Sequence, residues 1–514
     1  MSTFGTFADI HCHTLLKYVQ NDNLDFWNPI GAKRIPIIGS LLISRSTAAD
    51  FKTLAQGEVQ IVCVAMTPPE QKILFFQGNI PSGILNAFSS YISRIPSGTI
   101  KFFQSENYNH YDLLLKEKRL YEGGQNLTET VRLPSTGKTK CRYKLVNSFS
   151  EVDSILAANN ANKNERTIAV ILTIESAHAL GRGHINFNGV PNKFNVSDDI
   201  ILKRVDAMKG IGSPEAEAWK FSPFWMTMTH AFNNDICGFA QALENKFKNI
   251  LDYSEPFPAG KTPPKYEGGI NTGMTLLGRK IIERLLGIDA ESAARTNKGK
   301  RILVDVKHMS TKVRKEFYEI VDAHNASNSS DIIPVLMSHA AVNGKPSIDE
   351  NEYSPLDTDD AVENSSGFNP WSINLYNDEI VRIHKTKGLI GLIFYEPVLG
   401  GVQRRQGKVF WSKEKWAELF GDQIEQIVKT VYNTGAADKA EVWNRICIGS
   451  DFDGQVNPVD KFATADLLPD FLVSLRSALN QPRFNPYRNI GDVPNLANKI
   501  CFTNVVDFMR NYLK

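Results

Sequence analysis

The chain carries ten His. Five of them close short apolar runs: His11 and His13 in FADIHCHT, His230 in FWMTMTH, His308 in RILVDVKH and His339 in IIPVLMSH. Acidic residues close two more, Glu175 in TIAVILTIES and Asp451 in RICIGSD. Imidazole and carboxylate donors with little thiolate suit Zn2+, Mn2+, Fe2+ or Co2+. One catalytic zinc takes three protein ligands and a water, so four His and a Glu exceed the needs of one ion. The surplus predicts two divalent ions bridged by a carboxylate. Such a pair, about 3.5–4 Å apart, holds a hydroxide between its members and polarises a carbonyl.

Each residue alone has a plainer use. A His ending one strand is commonly a hydrogen-bonded core or surface residue, Glu175 could cap a helix, and Asp451 could be an N-cap. What selects metal chemistry is that all seven follow apolar runs. His11 and His13 are two apart, so on a strand both imidazoles share a face while Cys12 points the other way. Of the other His, His110, His178, His184, His324 and His384 do not end such runs. His178 and His184 flank the loop after Glu175 without being expected to ligate, and His324 and His384 read as helix-surface residues.

Buried strands must position these groups. Eight near-continuous apolar runs of strand length occur at 7–14, 59–66, 167–176, 224–230, 301–308, 332–339, 388–395 and 445–451, as expected for strands covered on both faces of a parallel sheet. Helical patterns fall between many of them, at 148–161, 275–287, 311–324, 377–388 and 416–435; three end at Gly, a common helix stop. The alternation predicts an α/β chain folded as a (β/α)8 TIM-type barrel, with the seven residues converging on the C-terminal strand ends. A single domain over 1–514 is expected, with insertions at about 67–165, 231–300 and 340–376. Within the first, residues 101–147 read as a helix followed by a hairpin. The stretch 354–371 is acidic and turn-rich and reads as a loop.

Composition narrows the function classes. The 514 residues hold 42% hydrophobic and 22% charged side chains, an ordinary globular balance. Lys and Arg number 58 against 56 Asp and Glu, a net +2, which leaves no nucleic-acid or membrane-surface footprint. The six Cys are widely spaced, form no CxxC, and three lie inside apolar runs, a pattern that fits a reducing compartment. The N-terminus lacks a basic region followed by an apolar one, and no apolar run reaches the ~18 residues of a spanning helix. The expectation is a soluble cytoplasmic protein.

The residues then match a known pattern. The blocks DIHCH (9–13), LTIESAHAL (172–180), MTMTH (226–230), DVKHMS (305–310), PVLMSHAAV (334–342), NDEIVRIHKTKGLIGLIFY (377–395) and IGSDFDG (448–454) occur in family order. With the closing NLANKICFTNVVDFMRNYL (495–513), the chain resembles the membrane (renal) dipeptidase family, peptidase family M19 of the amidohydrolase superfamily. That resemblance implies a (β/α)8 barrel holding two zinc ions. His11 and His13 would ligate the more buried ion, Glu175 would bridge, and His308 and His339 would ligate the second. His230 would contact the substrate or stabilise the oxyanion. Asp451 would be the general acid/base, taking a proton from the bridging water and passing it to the leaving amine. The family often dimerises, so a homodimer is an open expectation.

Three departures bear on specificity. The family usually has HxD at the first strand, whereas this chain has His11-Cys12-His13, the commoner form across the superfamily. The family's carboxylate-binding Arg after the sixth strand has no counterpart in HAAVNGKPSIDENEYS. Lys345 could substitute there as a substrate-binding point charge, without the bidentate fork of Arg. The insertions are long. The resulting expectation is a metal-dependent hydrolase cleaving the amide bond of a dipeptide or similar small amide by a metal-bridged hydroxide. Two alternatives stand beside it: a superfamily hydrolase of a lactone, cyclic amide or N-acyl amino acid, and a non-catalytic barrel whose insertions bind a partner. Asp453 reads as support for Asp451 or a cap on the next turn, Asn233 and Asn234 as pocket lining or turn residues, and Tyr395 as packing.

Overall fold

Strands buried on both faces cannot alternate apolar with polar, and β2 is the plainest case: every residue of VQIVCVAM is buried. The computed structural model describes residues 6–19, 25–29, 47–70, 95–183, 193–240, 242, 270–289, 291–296, 298–349, 367–401, 403–454, 458–488 and 491–514. Among them one large mixed α/β sheet contains ten strands. They are β1 (Phe7–Cys12), β2 (Val59–Met66), β3 (Glu129–Leu133), β4 (Gly137–Leu145), β5 (Glu165–Ile174), β6 (Trp225–Thr227), β7 (Leu303–Asp305), β8 (Met337–Ala340), β9 (Ile390–Leu392) and β10 (Ile446–Ile448).

Parallel pairing runs β1–β2–β5–β6–β7 in one direction and β1–β10–β9–β8 in the other. The inserted hairpin β3–β4 alternates exposed and buried residues, as a two-faced antiparallel pair should. It lies along the first half of β5, and β6 takes the same edge further on, where Ile174 pairs with Met226. Between β7 and β8 a parallel bridge joins Asp305 to Leu336, with Val306 N–H donating to Leu336 O at 3.1 Å. The buried Asp305 carboxylate reinforces it, its Oδ1 accepting Ser338 N–H at 3.1 Å.

Parity along the strands decides which core each side chain joins. In β2 and β5, Ile61, Cys63, Ala169 and Ile171 pack in one core while Val62, Val64, Val170 and Leu172 pack in the other. Glu175 continues the parity of Ala169 and Ile171. In β1 the register slips between Asp9 and Cys12, so that stretch lies opposite only Val62 to Val64 of β2. An extra residue of this kind re-aims side chains, and here it falls in the Ile10–His11 stretch.

The helices begin and end much as their caps dictate. Helix Phe149–Ala161 opens on a Ser148/Glu151 capping box, and helix Leu276–Leu286 opens on the Thr275 side chain and closes at Gly287 in the left-handed region. Helix Thr311–Ser327 is capped by Ser310. The inserted helix and hairpin stand at His110–Gly124 and β3–β4. Corrections concern lengths. The run at 332–339 becomes strand only at Met337–Ala340: Pro334 has no N–H to give a ladder, and Val335 N–H goes to the Thr386 hydroxyl instead. The patterns at 224–230, 301–308 and 445–451 shrink to three strand residues each. Most of their remaining residues are buried, but they lie outside the strand ladders. The last long helix is Lys413–Tyr432 rather than 416–435, because Ser412 caps it earlier. His324 and His384, expected on helix surfaces, are buried. His324 bonds the carbonyls of Ala293 and Asp331, and His384 faces the Asp438 carboxylate. Among the described residues no helix is long and apolar enough to cross a membrane.

Gly391 marks how tightly β8 and β9 approach. A Cβ there would lie 1.9 Å from the Ser338 carbonyl oxygen, one residue before His339. Gly391→Ala is expected to lower unfolding free energy by about 1–3 kcal/mol through overpacking, measured by urea denaturation.

Candidate metal centre

Glu175 follows the end of β5 with a carboxylate that is almost wholly buried. Its two oxygens face different imidazoles. Oε2 lies 3.1 Å from His13 Nε2. Oε1 lies 3.1 Å from His308 Nε2, 3.5 Å from His11 Nε2 and 3.7 Å from His339 Nε2. Asp451 Oδ1 stands 3.3 Å from His13 Nε2 and 3.8 Å from His11 Nε2. Two groups therefore share Glu175: His11, His13 and Glu175, and Glu175, His308 and His339. A third joins His11, His339 and Asp451; within each group the ligand atoms lie within 4.8 Å of one another.

The local backbone explains the convergence. His308 and Asp451 lie three residues past β7 and β10, at φ +66° and +59°. Non-glycine residues take that left-handed region at a cost, and such positions gather at functional sites. Hydrogen bonds hold them there. Asp451 N–H donates to His11 O at 2.8 Å. The buried Asp9 carboxylate accepts His11 N–H at 3.1 Å, Ser450 N–H at 3.0 Å and the Ser450 hydroxyl. Asp453 accepts Ala48 and Ala49 N–H at 2.9 Å and pairs with Lys17 at 3.0 Å, so it anchors the turn and does not join the cluster. Asn233 and Asn234 accept backbone N–H groups of residues 235–237 and are turn residues.

A cation suits these donors. His11 Nε2 and His13 Nε2 are buried without a hydrogen-bond partner. His308 Nε2 and His339 Nε2 sit 3.1 Å apart beside the same carboxylate oxygen. Ser338 Oγ lies 3.1 Å from His11 Nδ1 and 2.9 Å from His339 Nδ1. Its lone pairs can accept both Nδ1–H groups, which leaves both Nε2 lone pairs facing the centre. Burial, and then the charge on His230, push His308 down to about 3, so it is a neutral imidazole. Burial also holds His339 well below the usual range. His13 is opposite in sign: burial disfavours its imidazolium, but Glu175 and Asp451 outweigh burial and raise it well above the usual value. A divalent cation on Nε2 would satisfy the same two carboxylates. Cys12 takes no part, its Sγ lying 3.4 Å from Thr14 Oγ1.

The cluster opens toward Asp451 and His230, whose side chains are 14% and 28% exposed against 1–2% for His11, His13 and Glu175. His230 Nδ1 donates to Glu70 Oε2 at 2.7 Å. The Glu70 carboxylate also accepts Ala231 and Phe232 N–H, both at 3.2 Å. Burial presses the His230 imidazolium down, but Glu175 and then Glu70 lift it to about 9. Lys307 is buried beside His308; burial pulls its ammonium down to about 8 against the attraction of Asp451, Asp305 and Glu175.

Seven of the sequence-selected residues thus come together: His11, His13, Glu175, His230, His308, His339 and Asp451. Lys345 is half-buried in the turn after β8, its N–H bonded to Asn343 Oδ1 at 2.9 Å. His178 bonds the Pro68 carbonyl at 2.7 Å and lies outside the ligand groups. His110 packs edge-on against it, and His184 lies outside the described residues. Tyr395 is buried. Glu70, Asp9, Ser338 and Lys307 were not anticipated. Glu70 had one signal: β2 was a proposed strand with no polar residue assigned to its end, and Glu70 stands just beyond it.

No protein-family profile and no curated protein matches the chain. Solved structures do. The chain is similar to a metallopeptidase of family M19 described as dipeptidase AC, at TM-score 0.52 and 14% identity, covering 99% of this chain and 100% of that one. It is similar also to a metallopeptidase from Rhodobacter sphaeroides liganded with a phosphinate mimic of the dipeptide L-Ala-D-Ala, at TM-score 0.50 and 14% identity, covering 99% of each chain. The likeness is one of fold: the chain has the fold of M19 metallopeptidases over its length.

Gly454 lies directly against the cluster. A Cβ there would come within 2.3 Å of Asp451 Oδ1 and 2.4 Å of His13 Cδ2. Gly454→Ala is expected to displace both groups and to weaken Zn2+ binding about 10–100-fold, measured by competition with a chromophoric chelator, with thermal unfolding reporting the fold separately.

Proposed function

We propose that the chain is a metal-dependent hydrolase of the membrane dipeptidase type, cleaving the amide bond of a dipeptide or a similar small amide. The observation that carries this reading is the sharing of Glu175 by two ligand groups, His11–His13 and His308–His339. Two divalent ions, most simply zinc, would be held there by N and O donors alone. The parallel pairings and the Asp305–Leu336 bridge support an eight-stranded barrel within a single domain. The six free, buried Cys support a reducing, cytoplasmic setting.

A bound metal pair supplies a nucleophile from water at neutral pH and polarises the scissile carbonyl. The chain's own groups manage the protons and the developing charge. Asp451, on the open side, takes the proton from the attacking water and returns it to the leaving nitrogen. His230, held as imidazolium by Glu70 and Glu175, directs Nε2–H at the carbonyl oxygen as it gains charge. The buried imidazoles and Glu175 exclude water from the far side of the site.

Substrate choice has a second reading. The stretch HAAVNGKPSIDENEYS that begins at His339 holds no Arg, and Lys345 is its one Lys. A point charge grips a carboxylate less specifically than a bidentate fork. This favours a lactone, cyclic amide or N-acyl amino acid as the alternative substrate.

Three outcomes are expected. Protein reconstituted with zinc hydrolyses members of a panel of L,L- and L,D-dipeptides, and chelator removes the activity. Metal-loaded protein that cleaves none of them but opens a lactone or deacylates an N-acyl amino acid selects the alternative. Asp451→Asn keeps its metal and loses about 10²–10⁴-fold in kcat; near-normal turnover removes Asp451 from the role. Glu175→Ala loses metal, read by elemental analysis; full occupancy would refute the bridge.

A further inference from the structure

The inserted helix His110–Gly124 reaches the metal centre from behind. Tyr121, on its buried face, accepts Leu15 N–H at 3.2 Å through its hydroxyl, and Tyr143 OH donates to the Tyr121 carbonyl at 2.8 Å. Leu15 lies two residues past His13, so this bond fixes the helix against the end of β1. One turn earlier on the same face stands Glu117, 1% exposed. Its carboxyl group faces the backbone of Thr67, just past β2. It thus lies between the chain segments that leave β1 and β2.

Two buried polar atoms are left over at this place. Glu117 Oε1 has no hydrogen-bond partner, and neither has His13 Nδ1. Burial pushes the Glu117 carboxyl up to about 8, and the charge on His13 opposes that shift. The other ring nitrogen of His13, Nε2, faces Glu175 and Asp451. A buried carboxylate oxygen without a partner is costly. A ligating His commonly donates its remaining N–H to a carboxylate, carbonyl or water, which fixes its tautomer and orientation.

We propose that Glu117 is the positioning residue for His13, its carboxylate accepting Nδ1–H directly or through one water so that Nε2 is presented to the cation. The inserted helix then helps to hold the metal as well as wall the site. This rests on the reading of His13 as a ligand. His11 has Ser338 behind its Nδ1; Glu117 gives His13 the corresponding support.

The test compares wild type, Glu117→Ala, Glu117→Gln and His13→Ala. Zn2+ affinity is measured by competition with a chromophoric chelator, the visible spectrum of the Co2+ form reports ligand geometry, and thermal unfolding of the metal-stripped proteins reports the fold. Glu117→Ala is expected to weaken one of the two ions about 10–100-fold and to alter the Co2+ spectrum. Glu117→Gln keeps an acceptor oxygen and is expected to recover most of the affinity, with a metal-stripped Tm at the wild-type value. Wild-type affinity and spectrum in both Glu117 variants overturn the proposal, including the case where Glu117→Ala merely lowers the metal-stripped Tm. A raised KM for substrates with a free amine, at unchanged metal affinity, overturns it in favour of substrate binding by Glu117. His13→Ala with unaltered metal binding removes the ligand it depends on. Wild type that binds no metal refutes this proposal and the hydrolase reading together.

Discussion

A carboxylate buried beneath four imidazoles is tolerable only if every oxygen is engaged, and Glu175 is such a group. Burial raises its proton affinity, yet His230, His13 and His11 together hold it well below the usual carboxylate range. An isolated buried carboxylate would cost several kcal/mol. Its two oxygens divide the imidazoles between them, His13 on one side and His308 on the other. Every element that carries one of those rings must end within a few ångströms of the same point. The sheet order, the bulge in β1 and the left-handed residues after β7 and β10 all serve that requirement.

Much of the support is polar and buried rather than apolar. Asp9 ties β1 to the Ser450–Asp451 turn, and Asp305 ties the end of β7 to β8. Ser338 lies between two rings, and Glu70 accepts from the ring and the backbone around His230. None of these four needs to touch a cation, yet each holds a residue of the cluster or the turn that carries it. The cluster opens at Asp451 and His230, the residues given the proton and oxyanion roles in the proposed reaction, while the proposed ligand nitrogens stay sheltered behind them.

The ligand-type residues were legible because a strand covered on both faces admits few polar residues until it ends. A His or Glu closing an apolar run therefore stands out, as His11, Glu175 and His339 did. The cap-defined helices were legible for similarly local reasons, Gly287 and the Ser148/Glu151 box among them. What sequence could not give was partnership at long range. Glu70 lies 160 residues from His230, and Ser338 lies 327 from His11. Strand ends were overextended at 224–230 and 445–451 because buried residues such as Met228, Thr229 and Ser450 continue past the strands without ladder pairing. His324 and His384 were misread because each is a buried His facing a carbonyl or carboxylate outside its own helix, and the local pattern of each helix looks amphipathic.

The shared carboxylate can be tested by locating the ions themselves. Crystals of zinc-reconstituted protein, measured by anomalous diffraction at the zinc edge, are predicted to give two peaks about 3.5–4 Å apart. One should lie against His11, His13 and Glu175, and the other against Glu175, His308 and His339. A single peak, or two peaks of which only one touches Glu175, would contradict the account.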